Sequence, residues 1–170
     1  MIWGGFKMNW QDKKEVKKGN IGEDIISDFL EGHNFILYKP ITDGAHKIDY
    51  FAHSGRDKKV ICCEVKTKRR MAKMAFTGFN VSCYKHYMEI YEKHNIETFV
   101  FFVDDFEACV YGQWLNKLAD GKVIEGRNSV IVWPLSSMKK IRDIDDETLT
   151  ELRQYTTENY NYSNVKKYFT

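Results

Sequence analysis

Lys59-Val-Ile-Cys-Cys-Glu-Val-Lys66 is the stretch on which the reading of this 170-residue chain turns. Its apolar, partly β-branched centre reads as a buried strand. Successive side chains of a strand point to opposite faces, so Glu64 and Lys66 share one face while Cys63 and Val65 take the other. A carboxylate and an ammonium are thereby held roughly 6 to 7 Å apart along a stiff element.

Upstream, Ser54-Gly-Arg-Asp57 has the composition of a hairpin turn and Lys47-Ile-Asp-Tyr-Phe-Ala52 reads as the partner strand, which brings Asp49 beside the Glu64 region. Before it, Thr42-Asp-Gly-Ala45 reads as a turn, and Phe35-Ile-Leu-Tyr38 as a short strand ended by Pro40. Ile21, Ile25, Ile26, Phe29 and Leu30 recur at helical spacing, which places a first helix at about 13–31 with Gly32 as its stop and Glu23 flanking its apolar stripe.

Downstream, residues 67–81 lack a clean period and read as a loop across the mouth of the site. Ser82 is the expected cap of a second helix running to about His94. Strands are expected over 97–103, 108–115 and 130–133, and a last helix over 145–158, where Asp145, Thr148, Leu149 and Leu152 give a capped, periodic start. The order of helix, three strands, helix and further strands implies an α/β fold with a mixed sheet and helices against it.

Two carboxylates on neighbouring strands, Asp49 and Glu64, make a hard-oxygen site suited to Mg²⁺, or to Mn²⁺ in its place, with the backbone carbonyl of Val65 as a third donor. An ion there would activate water and neutralise charge growing on a phosphate, with Lys66 orienting the water or stabilising that charge. Glu23 is expected to complete the site, binding metal directly or through water, or holding Lys66.

The net charge of +2 does not by itself imply a polyanion partner, but its placement does. The segment from Arg56 to Lys73 carries a balance of +6, and Lys68, Arg69, Arg70 and Lys73 directly follow the signature strand, where phosphate contacts are expected. Asp43, before Gly44, reads as a turn former and His46 as a candidate phosphate contact. Cys62, Cys63, Cys83 and Cys109 include no CxxC pair, which argues against structural zinc and fits a reducing, cytoplasmic compartment. No run reaches the roughly 18 apolar residues of a membrane span. No Gly-rich loop is followed by GK[ST], so no nucleotide cofactor is expected.

Gly22-Glu23 in the first helix, Ile48-Asp49 at the aspartate strand and Glu64-Val65-Lys66 at the third strand together resemble the PD-(D/E)xK nuclease superfamily. The pattern is most similar to its small Holliday-junction-resolvase and restriction-endonuclease-like members, over about residues 19–103. The resemblance implies a restriction-endonuclease-like core of helix, three strands, helix and strand, here with added C-terminal strands and a helix. It implies that Asp49 and Glu64 bind divalent metal, that Lys66 assists water attack on a phosphodiester leaving a 5′-phosphate, and that Glu23 supports the metal. A helix glutamine or tyrosine of such proteins aligns with Tyr84, beside Lys85, as a further nucleic-acid contact. Ile48 stands where the motif has proline.

The expectation is one domain over 1–170, with an aromatic arm at 1–12 that packs on the body or on a second subunit. Its expected activity is a metal-dependent endonuclease on DNA, branched or distorted DNA included, gripping the backbone and acting as a homodimer. The alternatives are a nucleic-acid-binding module of a larger complex with weak or no catalysis, a nuclease-like protein-interaction or regulatory protein, and an exonuclease or RNA-directed nuclease.

Overall fold

The computed structural model describes residues 11, 13–41, 48–56, 58–71, 74–118, 121–124 and 129–156. Asp43, His46, Lys73 and, apart from Gln11, the expected arm at 1–12 lie outside these.

The expected apolar stripe of the first helix, α1 (Lys14–Gly32), buries Ile25, Ile26 and Leu30. Gly32 is its last residue, and the left-handed position falls two residues later on Asn34, φ 62°, a residue type that tolerates it. α1 lies very close to the sheet at Gly22. A Cβ there would come within 1.7 Å of Thr67 Oγ1, so only glycine lets the helix approach, and Glu23 is carried to the sheet with it.

Three antiparallel strands follow, β1 (Phe35–Tyr38), β2 (Tyr50–Ser54) and β3 (Val60–Thr67). Asp49 falls in the bend just before β2 instead of inside the strand. The stretch expected to be a loop contains β4 (Phe76–Asn80), and α2 (Val81–His94) begins directly from it. Asn80, not Ser82, occupies the cap position of α2, with no side-chain capping bond. β5 (Thr98–Asp104) then returns parallel to β3, and β6 (Cys109–Trp114) runs back antiparallel to β5. The remaining strands and α-helix are β7 (Lys122–Ile124), β8 (Val130–Pro134), β9 (Lys139–Asp143) and α3 (Asp146–Gln154). The expected Asp145 cap is present, its carboxylate accepting from Thr148 N–H at 2.9 Å.

Among the described residues these strands form a six-stranded mixed sheet, β1-β2-β3-β5-β6-β9, and a three-stranded sheet, β4-β8-β7. α1 and α3 pack on one face of the large sheet with Tyr50, Ala52, Cys63, Val65, Phe101 and Val103. The small sheet and α2 cover part of the other, where Phe79, Tyr87, Val100, Phe102 and Trp133 form a second core. β3 is therefore buried on both sides at its centre, which is why its sequence is apolar without alternation. No helix of the described residues is long and apolar enough to cross a membrane.

Candidate active site

The register Tyr50 to Cys63 and Phe51 to Cys62 sets Asp49 opposite the end of β3, beside Glu64 and Val65. β2 has ended there, so the Val65 N–H that would have continued the ladder donates to Asp49 Oδ2 at 2.7 Å. Both backbone groups of a strand residue point to the same side, which directs the Val65 carbonyl toward Asp49 as well.

Glu64 is 3% exposed, on the face of β3 turned to the second core. Its Oε1 accepts from Lys66 Nζ. Its Oε2 is buried and makes no hydrogen bond of ordinary geometry among the described residues, with the Tyr87 hydroxyl near enough to favour the charged carboxylate. Leaving such an oxygen unmatched is costly. Burial raises the Glu64 carboxyl above its ordinary value, against the opposing pull of Lys66. Asp49 is pushed up to about 7, by burial first and then by the Glu64 charge, with the Val65 N–H opposing and Glu23 adding to the rise. Burial alone would lower Lys66, but the neighbouring Glu64 carboxylate outweighs it and raises the ammonium above its ordinary value. Lys66 is consequently a fixed cation at neutral pH, not a proton acceptor.

Glu23 reaches the rim of this group. It is close enough to raise Asp49 and Glu64 electrostatically, yet its own Oε2 pairs with Lys39 Nζ at 2.7 Å. Among the described residues no group of three or more His, Cys, Asp or Glu side chains is gathered for metal ligation. The structure therefore joins Asp49, Glu64, Val65 and Lys66, with Glu23 beside them and engaged elsewhere.

The sequence offers Tyr87 as part of the aromatic side of the second helix and as a candidate base contact, not as a neighbour of Glu64. It is buried on α2, and burial followed by the Glu64 charge raises its hydroxyl well above its ordinary value. Tyr84, the expected helix residue, instead packs against Trp133 with ring centroids 5.9 Å apart, while Lys85 is exposed. The signal that could have found Tyr87 is helical spacing, since it lies one turn beyond Cys83 on the face that meets β3.

The basic segment after β3 is arranged differently from the expected row of phosphate contacts. Lys68 continues the alternation of Glu64 and Lys66 and turns inward, donating to the Gly78 carbonyl of β4 at 2.5 Å. Burial and the nearby Lys66 charge lower it to about 8. Arg69 pairs with Asp105 at 3.4 Å, and Arg70 pairs with Glu107 and lies 4.5 Å from the centre of the Phe106 ring. The cationic segment is thus clamped by the acidic turn between β5 and β6. A cavity of about 520 Å³, walled by Phe29, Phe35, Phe99, Phe101 and Trp114, opens on the α1 face and includes none of the charged groups of the site.

Fold and connectivity define a restriction-endonuclease-like α/β architecture, a central mixed sheet flanked by helices with added C-terminal strands and a helix. Two solved structures share it. Hjc, a Holliday junction resolvase from the archaeal hyperthermophile Archaeoglobus fulgidus, is similar with a TM-score of 0.50 at 13% identity, covering 70% of this chain and 90% of that one. A nuclease from a fusselovirus is similar with a TM-score of 0.53 at 11% identity, covering 92% of this chain and 98% of that one. No protein-family model matches the sequence, and no curated protein matches it.

Proposed function

We propose that this protein binds nucleic acid and that Asp49, Glu64 and Lys66 form a divalent-metal-dependent centre for hydrolysing DNA phosphodiester bonds. The observation that carries this reading is the buried Glu64 carboxylate, held beside a second carboxylate whose proton affinity is raised by the same crowding. Two negative groups held together in a poorly hydrated place favour a cation of high charge density. Asp49, Glu64 and the Val65 carbonyl would hold Mg²⁺ or Mn²⁺, with Glu23 reaching it through water. When bound, such an ion supplies Lewis acidity and a water of lowered pKa. The chain's own part is electrostatic: Val65 N–H fixes the Asp49 carboxylate, and Lys66 presents a permanent positive charge beside Glu64.

The second reading is a nucleic-acid-binding module with weak or no catalysis, working within a larger complex. It is favoured by the absence of a third gathered ligand among the described residues and by the engagement of Glu23 with Lys39. Of the two, it asks less of the resting geometry, because binding needs no rearrangement of Glu23 or Lys66.

End-labelled linear duplex, single-stranded and four-way-junction DNA, with an RNA strand in parallel, would be incubated with the protein in Mg²⁺ or Mn²⁺, comparing wild type with Asp49→Ala. Metal-dependent products absent from the variant are expected; the sizes of the labelled products separate endonuclease from exonuclease, and the strand that is cut separates DNA from RNA. Tight, chelator-resistant binding by both proteins with no products sinks the hydrolytic reading in favour of the module.

A further inference from the structure

On the α1 face of the large sheet, α3 is held at one end. Ile144 N–H donates to the Ala108 carbonyl at 2.9 Å just before α3, and Arg153 Nε donates to the Asp105 carbonyl at 3.1 Å from its last turn, so both ends sit at the β5–β6 turn. At the opposite end of these strands Phe99 pairs with Trp114, and there the cavity of about 520 Å³ opens. Among the described residues, helices give its wall only Phe29 and Leu30 from the last turn of α1, with His33 at the cap.

The sequence keeps this space open. A Cβ at Gly112 of β6 would come within 2.5 Å of Phe99 Cε1 and 3.2 Å of Ile141 Cγ1, so a side chain there would drive the Phe99 ring outward into the cavity. Leu30 and Phe101 are buried and the other aromatic walls half-buried, whereas His33 and Lys59 are exposed. The hollow therefore has recessed apolar walls and a polar mouth. His33 Nδ1 is engaged by the Phe29 carbonyl at 2.7 Å, which leaves Nε2 for a ligand. Lys59 has no ion pair among the described residues. Glu97, the acid of the wall, has its Oε1 held at 3.1 Å by Asn116 Nδ2, which lies outside the wall.

We propose that this cavity binds a free medium-chain carboxylate, its apolar chain among the rings and its head at Lys59 and His33. The proposal is independent of the nucleic-acid reading above. Small-molecule sites occupy about 300–1,000 Å³ and are mostly apolar with a few polar groups that fix orientation, and releasing water from such walls favours an apolar occupant. The Phe99 ring makes 47° with Phe101 and 84° with Trp114, so the walls form no flat slot for a fused ring system and suit a flexible chain. The unpaired cation at the mouth selects an anionic head. A second copy of the chain fits less well. A stable dimer buries about 800 Å² per partner, and the large apolar side chains exposed among the described residues, Ile36, Tyr38, Ile41, Val60 and Phe106, are absent from this wall.

The test is calorimetric titration of the full chain with decanoate, decanol and decylammonium, each below its micelle concentration. Decanoate is expected to bind tightest and decylammonium weakest, and shortening decanoate should lose about fourfold in affinity per methylene. Lys59→Glu is expected to weaken decanoate about tenfold and leave decanol within about twofold. Lys59 is exposed, so this variant should melt as the parent does. A bromine-bearing decanoate locates the chain: it should quench Trp114 emission, and Trp114→Phe should lose that quenching while retaining the heat of binding. No binding of decanoate, equal affinity for the three amphiphiles, or an unchanged decanoate affinity in Lys59→Glu overturns the proposal. So does quenching that survives Trp114→Phe, which would place the chain elsewhere. A parent dimer that decanoate disperses would give the cavity to a second copy, and sedimentation with phosphatidylglycerol vesicles without binding of the free acid would give it to a membrane; either result also overturns it.

Discussion

Two buried carboxylate sites in this molecule have opposite electrostatic characters. Asp105, 0% exposed, is surrounded by donors: Lys18 at 3.2 Å, Arg69 at 3.4 Å and Thr156 Oγ1 at 2.5 Å, with Arg153 donating to its backbone carbonyl. Burial would raise its pKa, but Thr156 and the two cations outweigh burial and lower it. Asp49 and Glu64 share a single close ammonium, and both stay raised. The first cluster balances the Asp105 charge through Oδ2, although Oδ1, like Glu64 Oε2, is buried without a hydrogen bond of ordinary geometry among the described residues, and it ties α1, the segment after β3 and the end of α3 to one turn. Among the described residues the second has one close ammonium for two carboxylates. Burial of charge thus has two uses here, and the balance of partners tells them apart.

The largest test of this contrast is stability. Asp105→Ala strands Lys18 and Arg69 in a buried setting and is expected to cost about 3–5 kcal/mol in urea unfolding. Asp49→Asn removes a repulsion and should leave the unfolding midpoint unchanged or higher. Equal losses would show that both clusters are structural.

Divalent cations should give the next largest difference. At a Mg²⁺ or Mn²⁺ concentration about a hundredfold over Kd, binding adds about 2.7 kcal/mol, a rise in Tm on the order of 5–10 °C for a chain of this size. Thermal melts of Asp105→Ala should retain the rise and those of Asp49→Asn should lose most of it. A rise of the same size in both variants would place the ion elsewhere.

The smallest effect is in pH, and the two sites have opposite signs. Folded Asp49 holds its proton up to about pH 7, against an ordinary value of 3.8. Between these values the folded state binds the extra proton, so this group makes stability fall as pH rises through the window and adds no further slope above it, by no more than about 1.4 kcal/mol per pH unit. Asp105 titrates below 3.8 when folded, so its stabilisation is full at neutral pH and is lost only as pH falls through the acid range. Urea midpoints of Asp49→Asn should show a flatter profile between pH 4 and 7 than wild type; an unchanged slope would assign that window to other groups.

Local pattern carried most of the site. The β3 alternation, the β2–β3 hairpin and the α1 stripe are short-range consequences of side-chain period and turn chemistry, and they suffice to join Asp49, Glu64 and Lys66. What the sequence hid depends on distant partners. β4 contains Gly78 in a weak strand former, and it exists because β8 lies against it, close enough that a Cβ on Gly78 would meet the Ile131 carbonyl at 1.9 Å. β9, Lys139–Asp143, is mostly exposed, charged and at the sheet edge, so it has no apolar alternation to announce it. The basic run at 68–70 read as a phosphate grip because its neutralising turn, Asp104 to Glu107, comes some 35 residues later, and no local pattern pairs them.

The pairing of β4 with β8 also sets an order of events during folding. Phe76 meets Pro134 and Asn80 meets Val130, so strands flanking α2 close only after roughly fifty intervening residues have been made and placed. Loop closure over such separations is slow relative to hairpins and helices. A chain emerging from synthesis can assemble α1, β1, β2 and β3 early, with Glu64 and Lys66 still facing water, and acquires the cover over them late. The lysine–carboxylate pair is therefore expected to complete its desolvation only when β8 backs the β4 and α2 residues that cover it, after its geometry has been fixed by the strand that carries it.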